Sequence, residues 1–211
     1  MAATLAGARL TEAHRLAQAS FGARVANELL LLWSLVDPKR LDQTVPEWLN
    51  AAIALMQVRR IDSANLAGRY LGAFRTLEAP QAPAFAPILA TRLDVGAAST
   101  SLQVVGPGSI RRAMTAGTNL SKAAETAGTN TARAAMRHVL DGGRETITAT
   151  VAADPEVTGF RRVTSGSACK FCSMLASRGA VYSADTARFA SHDGCSCSAE
   201  PVYGEASFSG A

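Results

Sequence analysis

The chain has 211 residues, 48% of them apolar and only 6% aromatic, enough for one large domain or two small ones whose cores rest on small-residue helix packing. This composition favours a mainly α protein, α+β overall once a short C-terminal unit is included. The formal charge of +4 is spread along the chain, and Arg59-Arg60, Arg111-Arg112 and Arg161-Arg162 are isolated pairs that read as solvated faces, so the basic stripe of a nucleic-acid reader is missing.

Leu16, Phe21, Val25, Leu29, Leu32 and Trp33 recur at helical spacing and predict a first helix from Thr11 to Val36, stopped by Asp37-Pro38. Its run Leu29 to Trp33 is bracketed by Glu28 and Asp37, far short of the ~20 apolar residues that cross a bilayer, so no membrane partner is expected. Thr44-Val-Pro-Glu47 reads as a capping box opening a second helix. Its buried face would run through Trp48, Ala52, Leu55 or Met56, Ile61, Leu66, Tyr70 and Phe74, with a break near Asp62-Ser63 and a stop at Pro80. The two helices should form an antiparallel hairpin over residues 1–79, with Trp33 and Trp48 as core aromatics near its closed end.

Residues 80–108 read as a connector, with three prolines by Pro87, alternation on either side of Gly96 that suggests short strands, and a turn at Gly106-Pro-Gly108. Residues 109–157 read as helical. Ser109 caps a short helix to Ala116, and Asn119 or Ser121 opens another whose end at Leu140, before Gly142-Gly143, buries Met136, Val139 and Leu140. Arg144 to Ala153 is rich in β-branched residues, but its place between the glycines and Asp154-Pro155 favours one more helix. His14 and His138 lack ligand-type neighbours and read as packed histidines.

Residues 158–203 form the unit that carries chemistry. Gly159 to Val163 reads as a strand, Ser173 to Arg178 as a short helix ended by Gly179, Val181-Tyr182 as a strand, Asp185 to Phe189 as a helical turn and Ala199 to Tyr203 as an edge strand. Residues 204–211 read as a frayed tail. Between these elements lie Cys169-Lys-Phe-Cys172 and His192-Asp-Gly-Cys195-Ser-Cys197, which hold all four cysteines and one of the three histidines. Thiolates and imidazole are zinc's ligand set, and a CxxC turn aims two sulfurs at one ion.

With no basic and apolar leader after Met1, reduced thiols are expected rather than two disulfides, and a catalytic Cys-His pair needs no further cysteines around it. A structural zinc is therefore the reading, with Cys169, Cys172, His192, Cys195 and Cys197 offering five donors for four tetrahedral places. His192 and Cys195, three apart, repeat the bite of the first pair, whereas Cys195 and Cys197 ask an extended segment to bend both sulfurs to one point. Cys169, Cys172, His192 and Cys195 are thus favoured, with Cys197 the nearby alternative. A unit of about 45 residues is too small for its core to suffice, which is the physical reason for a staple.

Arg162-Val163, Cys169 to Gly179, Val181-Tyr182, His192 to Cys197 and Pro201-Val202 together resemble the C-terminal module of phage Mu F-like minor head proteins of the actinobacteriophage type. Leu10 to Arg15, Leu32-Trp33, Asp42 to Trp48 and Ser63 to Arg75 resemble the N-terminal half of the same group. The resemblance implies a structural minor capsid protein of head morphogenesis, in the virion after assembly in the host cytoplasm. It also implies portal or major capsid protein, other copies of the chain and packaged DNA as partners. Relatives of this type are often labelled capsid maturation protease, which makes an enzyme the alternative. No GxSxG elbow frames a serine, Ser165-Gly-Ser167 reads as a loop, and no HExxH opens a zinc site, so no catalytic residue and no enzyme is expected. A zinc-dependent DNA-binding module is the second alternative, weakened by the lack of a basic recognition helix.

Overall fold

A computed structural model of the chain describes residues 4–165, 168–179, 189 and 191–204. Among these, α1 spans Leu5–Leu32 and passes through a 3-10 turn, Trp33–Leu35, to α2, Leu41–Glu78. Then follow α3 (Val95–Val105), α4 (Pro107–Thr115), α5 (Leu120–Ala153), β1 (Val157–Val163), α6 (Lys170–Ser177) and β2 (Ser198–Tyr203). The protein is mainly helical, with β1 and β2 paired antiparallel from Val157 opposite Tyr203 to Val163 opposite Ser198. The expected strand Val181-Tyr182, the turn from Asp185, most of the Ser165-Gly-Ser167 loop and the tail after Gly204 lie outside the described residues.

Helix α1 begins earlier than its periodicity indicates because Thr4 caps it, its Oγ1 accepting the Gly7 N–H at 2.9 Å. The capping box at Thr44 does not form. Helix α2 is already under way at Leu41, and the Thr44 hydroxyl donates to the Arg40 carbonyl while accepting the Asp37 N–H, both at 3.1 Å. Pro46 sits inside the helix, removing only the bond to the Asp42 carbonyl. Nor does α2 break at Asp62-Ser63. Ser63 is fully buried and exchanges hydrogen bonds with Gln18 of α1 and the Gly143 N–H of α5, so a residue that resembles an interruption is a three-helix contact.

Helices α1, α2 and α5 pack on one another around two cores. One gathers Phe21, Val25 and Leu29 with Trp48, Met56, Leu102, Val139 and Leu140, and Trp33 meets Trp48 edge to face at 5.0 Å, as expected for core aromatics. The other joins Tyr70 and Phe74 of α2 to Ile147 and Val151 of α5, Phe160 of β1 and Ala199 of β2. Of the expected α2 face, Trp48, Ala52, Met56, Tyr70 and Phe74 are buried, while Ile61 is exposed.

Helix α5 does not end before Gly142-Gly143. A Cβ at Gly142 would lie 2.7 Å from the Arg60 carbonyl oxygen, and one at Gly143 would lie 2.5 Å from Gln18 Nε2, so these glycines admit neighbouring helices rather than terminate their own. The β-branched stretch that follows is helical, as expected, for a reason outside the helix. Thr150 and Thr146 each accept, at 2.9 Å, a backbone N–H from the extended stretch, those of Ile88 and Ala90. Alternation in residues 90–95 therefore marks a docked extended segment rather than a strand, and the strand expected at Ser101 to Val105 is helix α3, capped by Asp94. Helix α4 starts at Pro107 rather than at a Ser109 cap, the Ser109 hydroxyl donating back to Val105 at 2.6 Å.

The arginine pairs are not simply solvated. Adjacent residues on a helix or strand face different ways, so Arg60 and Arg162 turn inward and are buried, whereas Arg111 stays exposed against Asp42. Arg60 bonds to the His138 carbonyl and to Glu145, and Arg75 to the buried Asp154 at 2.7 Å.

Gly142→Ala should destabilise the protein by about 2 kcal/mol despite alanine's better helix propensity, lowering the melting temperature by roughly 4–8 °C in a thermal scan. His14 is buried, stacks on Tyr70 at 4.3 Å, and is held down to about 4 by burial, against an ordinary 6.5. The unfolded chain takes up this proton below 6.5 and the folded one only near 4, so stability falls as pH drops through that window, by up to about 3 kcal/mol. Urea titrations at pH 6.5 and 4.5 should show a smaller difference in His14→Phe than in the parent.

Candidate metal centre

Strand β1 delivers the chain towards Cys169, which is also the N-cap of α6, its Sγ accepting the Cys172 N–H at 3.4 Å. Extended backbone at Cys169 followed by the first helical turn brings both CxxC sulfurs to one side. The second cluster reaches the same place through a turn at His192 to Cys195, whose N–H bonds to the His192 carbonyl at 3.1 Å. Gly194 permits it, with φ +80° and the Arg133 guanidinium 2.7 Å from where a Cβ would sit.

All five expected donors are brought together. Cys172, Cys195 and Cys197 are buried and within 4.8 Å of one another, and Cys169, Cys172 and His192 form an adjoining group, so Cys172 belongs to both. The four cysteines are free thiols. Sγ separations are 3.4 Å for Cys172 and Cys195, 3.9 Å for Cys172 and Cys197, and 2.8 Å for Cys195 and Cys197. Tetrahedral zinc with ~2.3 Å bonds sets sulfurs about 3.8 Å apart, so the first two distances fit one ion and the third pair would spread on binding. Donor chemistry and spacing fit a structural zinc.

Residues that sequence patterns do not flag hold the cluster. Arg144 of α5 donates to the carbonyls of Cys195, at 2.6 Å, and Cys197, at 3.1 Å, and also to Asp141 and Ser191. This grip holds the Cys195 to Cys197 segment where its two sulfurs lie 2.8 Å apart and the Cys197 N–H reaches Cys195 Sγ at 3.4 Å. Arg137 pairs with Asp193 at 2.7 Å, fixing the turn from the other side. Arg162 of β1 donates to Cys197 Sγ at 2.9 Å and lies 3.9 Å over the Phe189 ring.

Three buried thiols cannot all ionise without a cation. Cys195 is held down to about 4, chiefly by its hydrogen bond with Cys197, which is itself pushed up by the same bond, and burial pushes Cys172 up to about 11. A bound ion would displace the protons that remain.

A long-helix bundle bearing a two-stranded module with a Cys/His cluster defines a helical protein whose C-terminal unit could hold a metal ion. The family model described as VG15 protein matches residues 6–210, nearly the whole chain, and the chain belongs to that family, one of phage gene products. No curated protein and no solved structure matches it. Among the described residues no helix is long and apolar enough to cross a membrane.

Protein purified under reducing conditions should carry about one zinc per chain by elemental analysis, and Cys172→Ser should abolish that stoichiometry. Stripping the metal with a chelator should lower the melting temperature, by an amount that grows with the zinc concentration of the reference sample.

Proposed function

We propose that this protein is a structural minor capsid protein of the phage head, of the Mu F-like kind, acting in head assembly with portal or capsid protein and stapled by a structural zinc. The observation that carries the reading is the grip of α5 on the cysteine loop. Arg137 and Arg144 tie the turn and both cysteine carbonyls to the same helix that builds the two cores, so an ion bound there joins the small module to the long-helix bundle. A metal so placed stiffens a surface. The membership in a phage family and the Cys/His pattern support the same role.

The protease alternative would require an open metal position with a general base, or a framed nucleophile. A thiol-rich cluster whose sulfurs accept N–H groups from Cys172, Cys197 and Arg162 suits a closed site better. Fractionated virions and procapsids, probed with an antibody to this chain, should contain it in the head. Purified protein incubated with its phage's capsid and scaffold proteins should leave both intact, and cleavage that disappears in Cys169→Ala or His192→Ala would favour the enzyme.

A further inference from the structure

The four thiols of the cluster are not equally open to solvent. Cys172, Cys195 and Cys197 are 1%, 6% and 6% exposed, whereas Cys169 is an exposed residue. Cys169 also lines an open cleft of about 340 Å³, with Arg133, Thr164 and His192, which admits a small polar reagent to that side of the cluster. As N-cap of the eight-residue α6, Cys169 opens the turn that carries Cys172 inward, and its Sγ accepts the Cys172 N–H at 3.4 Å. The two sulfurs lie within 4.8 Å of each other. An exposed thiol at a helix N-terminus, with a buried thiol in the first turn behind it, is the arrangement in which the outer sulfur reacts first and the inner one resolves the product. Cys172 lies 3.4 Å from Cys195, and Cys195 2.8 Å from Cys197, but neither of those pairs contains an exposed thiol.

We propose that Cys169 is a site of oxidant entry and Cys172 its resolving thiol, so that a small peroxide closes a Cys169–Cys172 disulfide and withdraws both sulfurs from the metal, the withdrawal resting on the reading that the site holds zinc. The Cys169 sulfur, as thiolate, attacks one peroxide oxygen; the O–O bond breaks and the other oxygen leaves as hydroxide, which takes a proton and becomes water. The Cys172 thiolate then attacks the sulfenic sulfur; the S–S bond forms, the S–O bond breaks, and a second hydroxide leaves and is protonated. Two thiolates have lost two electrons, one peroxide has become two waters, and zinc departs as the dication it was.

Cys195, Cys197 and His192 alone are one donor short of a closed tetrahedral shell. Their turn is held to α5 by Arg137 and Arg144, whose bonds go to Asp193 and to the carbonyls of Cys195 and Cys197 rather than to sulfur. That half therefore stays in place while α6 is unclipped from it. A thiol reductant reverses the step, so the staple is present only while the CxxC pair is reduced.

Tryptic mapping reads the linkage directly, because cleavage after Arg162, Lys170, Arg178 and Arg188 places Cys169 in residues 163–170, Cys172 in residues 171–178 and both other cysteines in residues 189–211. Full-length protein, zinc-loaded in one sample and chelator-stripped in another, is treated with graded hydrogen peroxide, alkylated and digested without reductant. Peptides 163–170 and 171–178 should be joined in both samples, with about one zinc released per disulfide in the loaded one and both changes undone by a thiol reductant. A bond from 171–178 to 189–211, a bond confined to 189–211, sulfinic acid at Cys169 without a disulfide, or four thiols that survive the peroxide would each overturn the assignment. In stripped, reduced protein Cys169 should alkylate ~10-fold or more faster than Cys172, and equal rates would sink the order of reaction. Protein that never binds zinc yet forms the 163–170 to 171–178 link would refute the metal reading and uphold the thiol pair, whereas zinc retained after that link forms would refute the release.

Discussion

The structure depends most on one guanidinium. Arg144 is buried on α5 and spends its donors on two carbonyls of the cysteine loop, on Asp141 and on Ser191. A buried arginine is costly to desolvate and is tolerated only where its donors are met in fixed directions. Those directions anchor the carbonyls of Cys195 and Cys197, whose thiols, two positions apart, meet at 2.8 Å. The chemistry of the C-terminal module is therefore imposed from outside it, by a helix whose main role is packing.

That helix can serve both purposes because its neighbours come unusually close. Gly22, Gly142 and Gly143, with buried Ala64, Ala67, Ala132, Ala134 and Ala135, let α1, α2 and α5 approach until backbone and polar groups touch across the seams. At such distances polar side chains find partners in adjacent helices, and Ser63, Gln18 and Arg60 are held by bonds that cross between them. The low aromatic content is matched by a core in which a few large rings, Trp48, Tyr70, Phe74 and Phe160, fill what small residues leave.

Much of this was legible in the chain and some was not, for definite reasons. The two long helices, strands at Gly159 to Val163 and Ala199 to Tyr203 that the structure extends to Val157 and Ser198, the short helix after Cys169 and the gathering of all five donors follow from periodicity, turn punctuation and cysteine spacing, which are local signals. What misled was locally identical but globally caused. Gly142-Gly143 resembles a helix stop and is an inter-helix contact. Thr146 and Thr150, read as helical from their place in the chain and found so, serve the backbone of Ala90 and Ile88, a role no local pattern shows. Thr44 resembles a cap within a helix already begun, and Arg161-Arg162 resembles a solvated pair although one of the two reaches the cluster. All but Thr44 depend on a partner tens of residues away, and Thr44 on a helix that starts at Leu41, before it.

The two cores hang on the same uninterrupted rods. At 1.5 Å per residue, the 38 residues of α2 and the 34 of α5 extend about 57 Å and 51 Å. Neither can change length between the cores without consequence. One residue inserted in α5 between Val139 and Arg144 would turn everything beyond it by about 100° and carry Arg144 away from the cysteine carbonyls, while the first core remained as it was. Variation in length should therefore be confined to stretches such as residues 79–87, which precede the backbone bonds of Ile88 and Ala90 to α5, and the spacing from Val139 through Arg144 to Val151 is the part of this chain that can be substituted but not stretched.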